Sequence, residues 1–357
     1  MIKLLLLLAT LISSVFCHAQ SLPSDATLTA LMQKAGVPGM QLVYAKHGKV
    51  RAYALGARTA GQPAPVNATT TFEAASLGKT VLAYAALRLL DRGVFELDKP
   101  LLGYAPCPRL QGVRNAEKIT ARMVLGHTTG LLNWAANPLS PAWKTTPLCL
   151  KYAPDSCWSY SGEGYVLLQQ TLEHLTGKSF ETLAREEVFG PLRMTHSSFV
   201  WQPAFAANVA SGHDEKGRPV PITHFAEGYG AFSLLGPATD YSRFLQAIMA
   251  GQGLKPATAR LLRTPTNEAS RCGQPATPAD AFFAWACGVG LATTSRGLAQ
   301  WQWGDNGPFK GFYLTLPDRQ ESLVFFTNSA NGPKLTDDLL RLFFGPGDYH
   351  TTQWLAE

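Results

Sequence analysis

Ser76 and Lys79 stand three residues apart at the head of an apolar run, Leu77 to Leu90, that reads as a helix buried on every face. At that spacing both side chains share one helix face and can touch. An alcohol becomes a useful nucleophile only when a base takes its proton, and a lysine stripped of water is such a base. The helix N-terminus favours the negative charge that develops. Ser-x-x-Lys is short and arises by chance, and Ser76 alone reads equally as a helix cap; the burial of the helix is what makes a lysine there unusual. Tyr160, in Tyr160-Ser161-Gly162, precedes another helical pattern. It can relay a proton to a leaving group if Lys79 lowers its pKa from about 10; otherwise it is a packing side chain. Trp303-Gly304-Asp305-Asn306-Gly307 ends a strand-like run, and Asp-Asn-Gly is ordinary turn chemistry. His127, in His127-Thr128-Thr129-Gly130, fits a hydrogen-bonded histidine at a helix end better than a catalytic group. The sequence has no Gly-x-Ser-x-Gly elbow and no His-Glu-x-x-His. No metal or organic cofactor is expected.

The elements that must position these residues follow from hydrophobic period. Asp25 to Ala35 reads as a first helix, and Met40 to Lys46 with Val50 to Ala57 reads as a hairpin around His47-Gly48-Lys49. Tyr165, Leu168, Leu172 and Leu175 recur at helical spacing before Gly177, and Tyr241, Phe244, Leu245 and Ile248 do so behind Thr239-Asp240, a good cap. Strand-like runs return at Gly288 to Thr294, Ala299 to Trp303, Phe312 to Leu316 and Leu323 to Thr327, and Leu335 to Phe344 is a final helix. Strands thus open and close the chain while helices fill its middle. The expected class is α/β: one antiparallel sheet flanked by terminal helices, with a helical lobe inserted. Residues 20–98 and 285–357 form the sheet lobe and 99–284 the helical lobe, with the catalytic cleft where they meet.

Lys3, the apolar run from Leu4 to Phe16 and the small Ala19 read as an export leader over residues 1–19, too short for a membrane span. Bulky Phe16 ahead of Cys17 speaks against a lipoprotein. The formal charge is +6 over 357 residues, but the lysines and arginines are scattered, which points to a solvated surface and away from nucleic acid. The expected partner is a small-molecule or peptide substrate, and the sequence leaves oligomeric state open. In an exported chain Cys107, Cys149, Cys157, Cys272 and Cys287 are disulfide candidates, with Cys149/Cys157 and Cys272/Cys287 the local options and at least one of them expected.

The order Ser76-x-x-Lys79, His127-Thr-Thr-Gly130, Tyr160-Ser-Gly162, Asp305-Asn-Gly307 resembles the serine β-lactamase and D-Ala-D-Ala peptidase superfamily, in the branch of the class C β-lactamases and their esterase relatives. Pro191-Leu192-Arg193-Met194 resembles that family's Pro-Leu-Gly-Met turn. The resemblance implies an acyl-enzyme on Ser76, with Lys79 activating it and Tyr160 passing protons to the leaving group and from water. It implies substrate contacts at Gly162, Asp305, Asn306 and Gly307. Two positions depart from the pattern: Gly162 stands where an amide-binding Asn is usual, and Asp305 where a Lys or His is usual. Both argue for an ester or amide substrate that is neutral or cationic at that end, more than for an efficient β-lactamase. The other reading is a non-catalytic scaffold that binds peptidoglycan-like ligands. The same register puts Pro308, which lacks an N–H, where the family's second oxyanion donor stands. A slow enzyme, a substitute donor (the Asn306 side chain or Gly307 N–H), or a bulge that brings in Phe309 are the alternatives.

Overall fold

The computed structural model describes residues 22–356, so the expected leader lies outside the described residues. Helix α1 (Asp25–Ala35) is capped by the Ser24 hydroxyl and stops on Gly36 in the left-handed region. The hairpin follows as β1 (Gly39–Lys46) and β2 (Lys49–Gly56), turning on His47 and Gly48, both at positive φ. Next come β3 (Phe72–Ala75) and α2 (Gly78–Asp91). The middle holds α3 (Ala121–Leu125), α4 (Gly162–Thr176), α5 (Phe180–Ala184), the short strands β4 (Gly212–His213), β5 (Pro219–Val220) and β6 (Leu234–Gly236), then α6 (Ala238–Met249) and α7 (Pro256–Arg260). Strands β7 (Phe283–Trp285), β8 (Gly290–Thr294), β9 (Gly297–Asp305), β10 (Lys310–Leu316) and β11 (Glu321–Thr327) precede α8 (Thr336–Phe344) and α9 (Thr351–Ala356).

Seven strands form one sheet in the order β2-β1-β11-β10-β9-β8-β7, with antiparallel neighbours throughout. The first and last stretches of sequence therefore pair side by side, as Leu42 with Phe325 and Val43 with Val324. Every residue of β11 is buried, because both sheet faces are covered. On one face α1 and α8 pack Leu28, Met32, Leu339 and Phe343 against Leu42, Leu314 and Phe325. On the other, α2 lies in a second core that the sheet shares with the helices of the middle of the chain, with eleven of its residues buried. The cap expected at Thr239-Asp240 is different: α6 starts at Ala238, whose N–H donates to Gln41 (2.8 Å), while Asp240 accepts from His196 N and Ser197 Oγ.

The cysteine expectation is corrected. Cys157 pairs with Cys272, 115 residues away, with Cα atoms 5.2 Å apart, while Cys107, Cys149 and Cys287 are free. The physical reason is a short ladder: Trp158 N donates to Ser270 O and Cys272 N to Trp158 O, both at 2.8 Å. That laces two distant segments side by side and brings their sulfurs together, whereas Cys287 is buried in the helical core.

Candidate active site

The chain leaves β3 through a register shift between Glu73 and Ala75, and Ala75 adopts φ 51, a conformation costly for a residue with a side chain. That turn delivers Ser76 to the start of α2. Ser76 does not cap the helix, whose N-cap is Leu77 without a side-chain bond. Instead its Oγ lies 3.0 Å from Lys79 Nζ, and Nζ donates to Ala231 O at 2.7 Å. Lys79 is fully buried and faces aromatic rings, with Nζ 4.8 Å from the Tyr160 ring and 5.8 Å from those of Trp134 and Tyr165. Burial pushes its pKa down to about 7. At neutral pH a large fraction of Lys79 is therefore free amine, a base in contact with an alcohol.

Tyr160 joins them. Its ring stacks on His127 at 4.3 Å and tilts against Trp303 at 4.7 Å. Its hydroxyl is buried without a hydrogen bond of ordinary geometry, although the Ser76 hydroxyl is near enough to favour ionisation slightly. The expectation that Lys79 lowers the Tyr160 pKa is corrected: burial dominates and raises it, because a phenolate would be enclosed by rings and by a lysine that is itself readily neutral. Tyr160 is a neutral phenol, able to donate a proton onward. His127 is positional. Its O accepts from Ser159 N (2.7 Å) and its Nδ1 from Ser161 N (3.0 Å), while burial first, and then the Lys79 charge, keep its pKa well below normal.

The third segment reaches the same cleft as Ser76 through Asp305, Asn306 and Gly307. Gly304 passes directly over β3: a Cβ there would come 2.5 Å from Ala74 O, so only glycine fits beside the nucleophile's turn. Trp303, not Asp305, carries the side chain against Tyr160. Asp305 is ion-paired with Lys310 across the hairpin and accepts from Gly307 N at 2.8 Å. Neither Gly307 N nor the Asn306 side chain is a free donor. Asn306 Nδ2 donates to Glu73 Oε2 (2.6 Å) and Phe232 O (3.1 Å). The turn closes with Asn306 N donating to Phe309 O at 3.2 Å. Backbone bonding alternates along an antiparallel pair, so Asp305, opposite Lys310, turns its N–H away from β10. On that side the ladder to β8 ends at Trp301, leaving the β9 edge open toward the cleft. Trp303 N is taken by the Gln302 side chain at 3.1 Å. Asp305 N–H is thus an edge donor in the cleft that holds Ser76.

That cleft, about 240 Å3, is lined by Ser76, Glu73, Trp134, Phe225, Phe232 and Asn306 among others. Glu73, Trp134, Phe225 and Phe232 had no sequence motif to mark them. Trp134 occupies the space an Asn side chain would need at position 162: a Cβ on Gly162 would fall 2.3 Å from the indole. Glu163 anchors the Trp134 loop, accepting from Arg109 through both oxygens (2.8 and 3.0 Å), from Ala135 N (3.0 Å) and from Trp143 Nε1 (2.8 Å). Glu73, 3% exposed, accepts from Thr223 N (2.8 Å) as well as from Asn306, and burial raises its pKa. Its position three residues before Ser76 is the one signal the sequence offered. Among the described residues no cluster of His, Cys, Asp and Glu could hold a metal ion.

A sheet with helices inserted between its first and last strands, and a half-buried serine beside a buried lysine, is the architecture of the penicillin-recognising serine hydrolases. Residues 25–343 match the family model described as Beta-lactamase, and the chain belongs to the beta-lactamase family as a β-lactamase-related serine hydrolase. A β-lactamase of Yersinia enterocolitica is 26% identical over 66% of this chain, a match that spans 61% of that protein. Esterase EstB of Burkholderia gladioli is 28% identical over 66% of this chain and 71% of its own length. Penicillin-binding protein 4 of Amycolatopsis lactamdurans is 24% identical over 88% and 87%. A class C β-lactamase superposes with a TM-score of 0.75 over 90% of this chain and 94% of that one at 21% identity, which shows the shared fold. A D-alanine carboxypeptidase from Burkholderia cenocepacia gives the same TM-score, 0.75, over 90% and 97% at 20% identity.

Proposed function

We propose that the protein is an exported esterase-like hydrolase that forms an acyl-enzyme on Ser76. The observation that carries this reading is the Ser76–Lys79 pair: 3.0 Å apart, with the lysine enclosed by rings and its pKa pushed down to about 7. Lys79 takes the Ser76 proton as Oγ attacks the substrate carbonyl. The oxyanion is met by Ser76 N–H and by the open-edge N–H of Asp305, so Pro308 removes nothing from the oxyanion site. Collapse of the tetrahedral intermediate breaks the bond to the leaving group. The leaving group takes its proton through the Tyr160 hydroxyl, which is replenished from protonated Lys79. Water then attacks the acyl ester by the same path in reverse and frees Ser76.

The acyl side of the cleft favours an apolar group, because Trp134, Phe225 and Phe232 line it. Trp134 also fills the place of the usual amide-binding side chain, which favours esters over amides and β-lactams. Export is supported by the leader-like pattern of residues 1–19 in the sequence and by the Cys157–Cys272 bond, since such bonds persist in oxidising compartments. The test is a panel of 4-nitrophenyl esters beside a chromogenic cephalosporin. Ester turnover that exceeds cephalosporin turnover, both lost in Ser76→Ala, supports the reading; a preference for the cephalosporin contradicts it.

A further inference from the structure

The cleft beside Ser76 carries a charge that the acyl-transfer steps leave unused. Glu73 lines it, almost wholly buried, three residues ahead of the nucleophile on β3. Its two oxygens accept from Thr223 N at 2.8 Å and from Asn306 Nδ2 at 2.6 Å. Both partners are neutral, and among the described residues no ion pair reaches this carboxylate. Donors on both oxygens hold the group as an acceptor, the form of an ionised carboxylate. Burial raises its pKa, and those same donors pull it back down. A buried carboxylate without a cation is costly, and such a group is ordinarily paired. Nothing in the cleft supplies the pair. None of the described residues lining it is a lysine, arginine or histidine. Asp305, the other carboxylate there, is neutralised by Lys310.

The walls around this charge are aromatic: Trp134, Phe225 and Phe232 line the same cleft. Trp134 meets Phe232 at 88° and Phe225 meets it at 67°, so the rings box the space instead of stacking. The Trp134 ring also lies 5.8 Å from Lys79 Nζ, which turns an electron-rich face toward the Ser76 side. A carboxylate among rings suits an ammonium on a short carbon chain, the charge meeting the carboxylate and the methylenes meeting the rings. The Thr223 and Asn306 donors fix the Glu73 carboxylate and still leave each oxygen a second lone pair for an incoming N–H. Resting on the acyl-serine reading, we infer that the acyl cleft takes substrates whose acyl group carries an ammonium, with Glu73 as its counter-ion. The preference for a cationic end that Asp305 alone implied thus belongs to Glu73, and to the acyl side of the scissile bond.

Two matched pairs of phenyl esters test this, 3-aminopropanoyl against butanoyl and 6-aminohexanoyl against heptanoyl. In each pair an ammonium replaces the methyl group at the end of an equal chain, and each rate is divided by that of spontaneous hydrolysis. Without a counter-ion the aromatic walls favour the methyl group, since the ammonium must leave water. The wild type should instead favour the ammonium in kcat/KM by roughly tenfold in at least one pair, the low end of what a hydrogen bond to a charged group contributes. That ratio should survive high salt, because an enclosed pair is screened little. Glu73→Gln should bring it to one or below; any loosening of the wall affects both esters of a pair alike and cancels. Wild-type ratios at or below one in both pairs, a ratio erased by salt, or a ratio that Glu73→Gln leaves in place would overturn the inference. If Glu73→Gln neither labels with a fluorophosphonate nor hydrolyses phenyl acetate, inhibition of the wild type decides. Butylammonium should then compete with phenyl acetate about tenfold more strongly than 1-butanol does, and equal or weaker inhibition overturns the site. If the wild type turns over none of these esters, the acyl-serine reading has failed, and binding judges the site alone. Quenching of tryptophan fluorescence should saturate with butylammonium at concentrations where 1-butanol has no effect, and absence of that difference overturns it.

Discussion

Lys79 has no carboxylate to hold its charge; three aromatic rings and a carbonyl surround it. Its ammonium form is therefore the costly one, and the base needed by Ser76 is available near neutrality. The rate of acylation should rise with pH through an apparent pKa near 7, the value to which burial brings Lys79, and a flat profile from pH 5 to 9 would argue against it as the base. The same shift bears on stability. Between about 7 and the ordinary 10.5 the unfolded chain holds a proton that the native state does not, so stability rises with pH across that window. Lys79→Met should flatten that slope while abolishing turnover, a pair of results that denaturant titration at several pH values and an ester assay decide together. Glu73 works one step back from the chemistry. It ties the strand leading to Ser76 to the hairpin tip at Asn306 and to the cleft wall at Thr223. Glu73→Gln keeps the shape but turns one acceptor into a donor facing another donor. It should lower kcat/KM more for bulky acyl esters than for acetyl esters, because it loosens the wall that bulky groups touch. An equal loss for both would mean the residue only stabilises the fold.

At the scale of elements, Tyr160 is aimed by its neighbours. His127 holds the backbone on both sides of it, and the Cys157–Cys272 bond ties the segment three residues upstream. Paired Cys157→Ser and Cys272→Ser changes should lower unfolding free energy by about 2–4 kcal/mol. They should also reduce kcat before they affect labelling of Ser76, since the loop carries the proton relay and not the nucleophile. Non-reducing peptide mapping checks the bond, and a 149–157 or 272–287 linkage would contradict it. The helices and hairpins were legible because each rests on a local pattern: Ser24 and Gly36 bound α1, and Gly177 stops α4 in the left-handed region. The sulfur pairing was not, because it depends on a ladder between segments over a hundred residues apart. The short strand β7 and helix α9 have too few residues for any period to show. Trp134 escaped notice for a related reason. Nothing near it in sequence says that its indole lies on Gly162.

Across the whole molecule, the sheet closes the chain's two ends together, and that closure places Gly304 of β9 over the turn that presents Ser76. The antiparallel sheet with inserted helices could be read from the order of patterns alone. The oxyanion donor could not, since matching Asp305-Asn306-Gly307 by residue type puts Pro308 at the oxyanion, whereas the mechanism proposed above uses the Asp305 N–H, which the pairing with Lys310 turns away from β10. Pro308→Gly should accordingly leave ester turnover within about twofold, against the 10²–10³ gain that restoring a missing donor would bring. All of this depends on one bond being made at one oxygen. The most direct measurement is mass spectrometry of the protein after brief reaction with a fluorophosphonate probe, with peptide mapping of the adduct. The account predicts one adduct, on Ser76, formed orders of magnitude more slowly in Lys79→Ala and absent in Ser76→Ala. An adduct on another serine, or labelling that proceeds at the normal rate without Lys79, would contradict it.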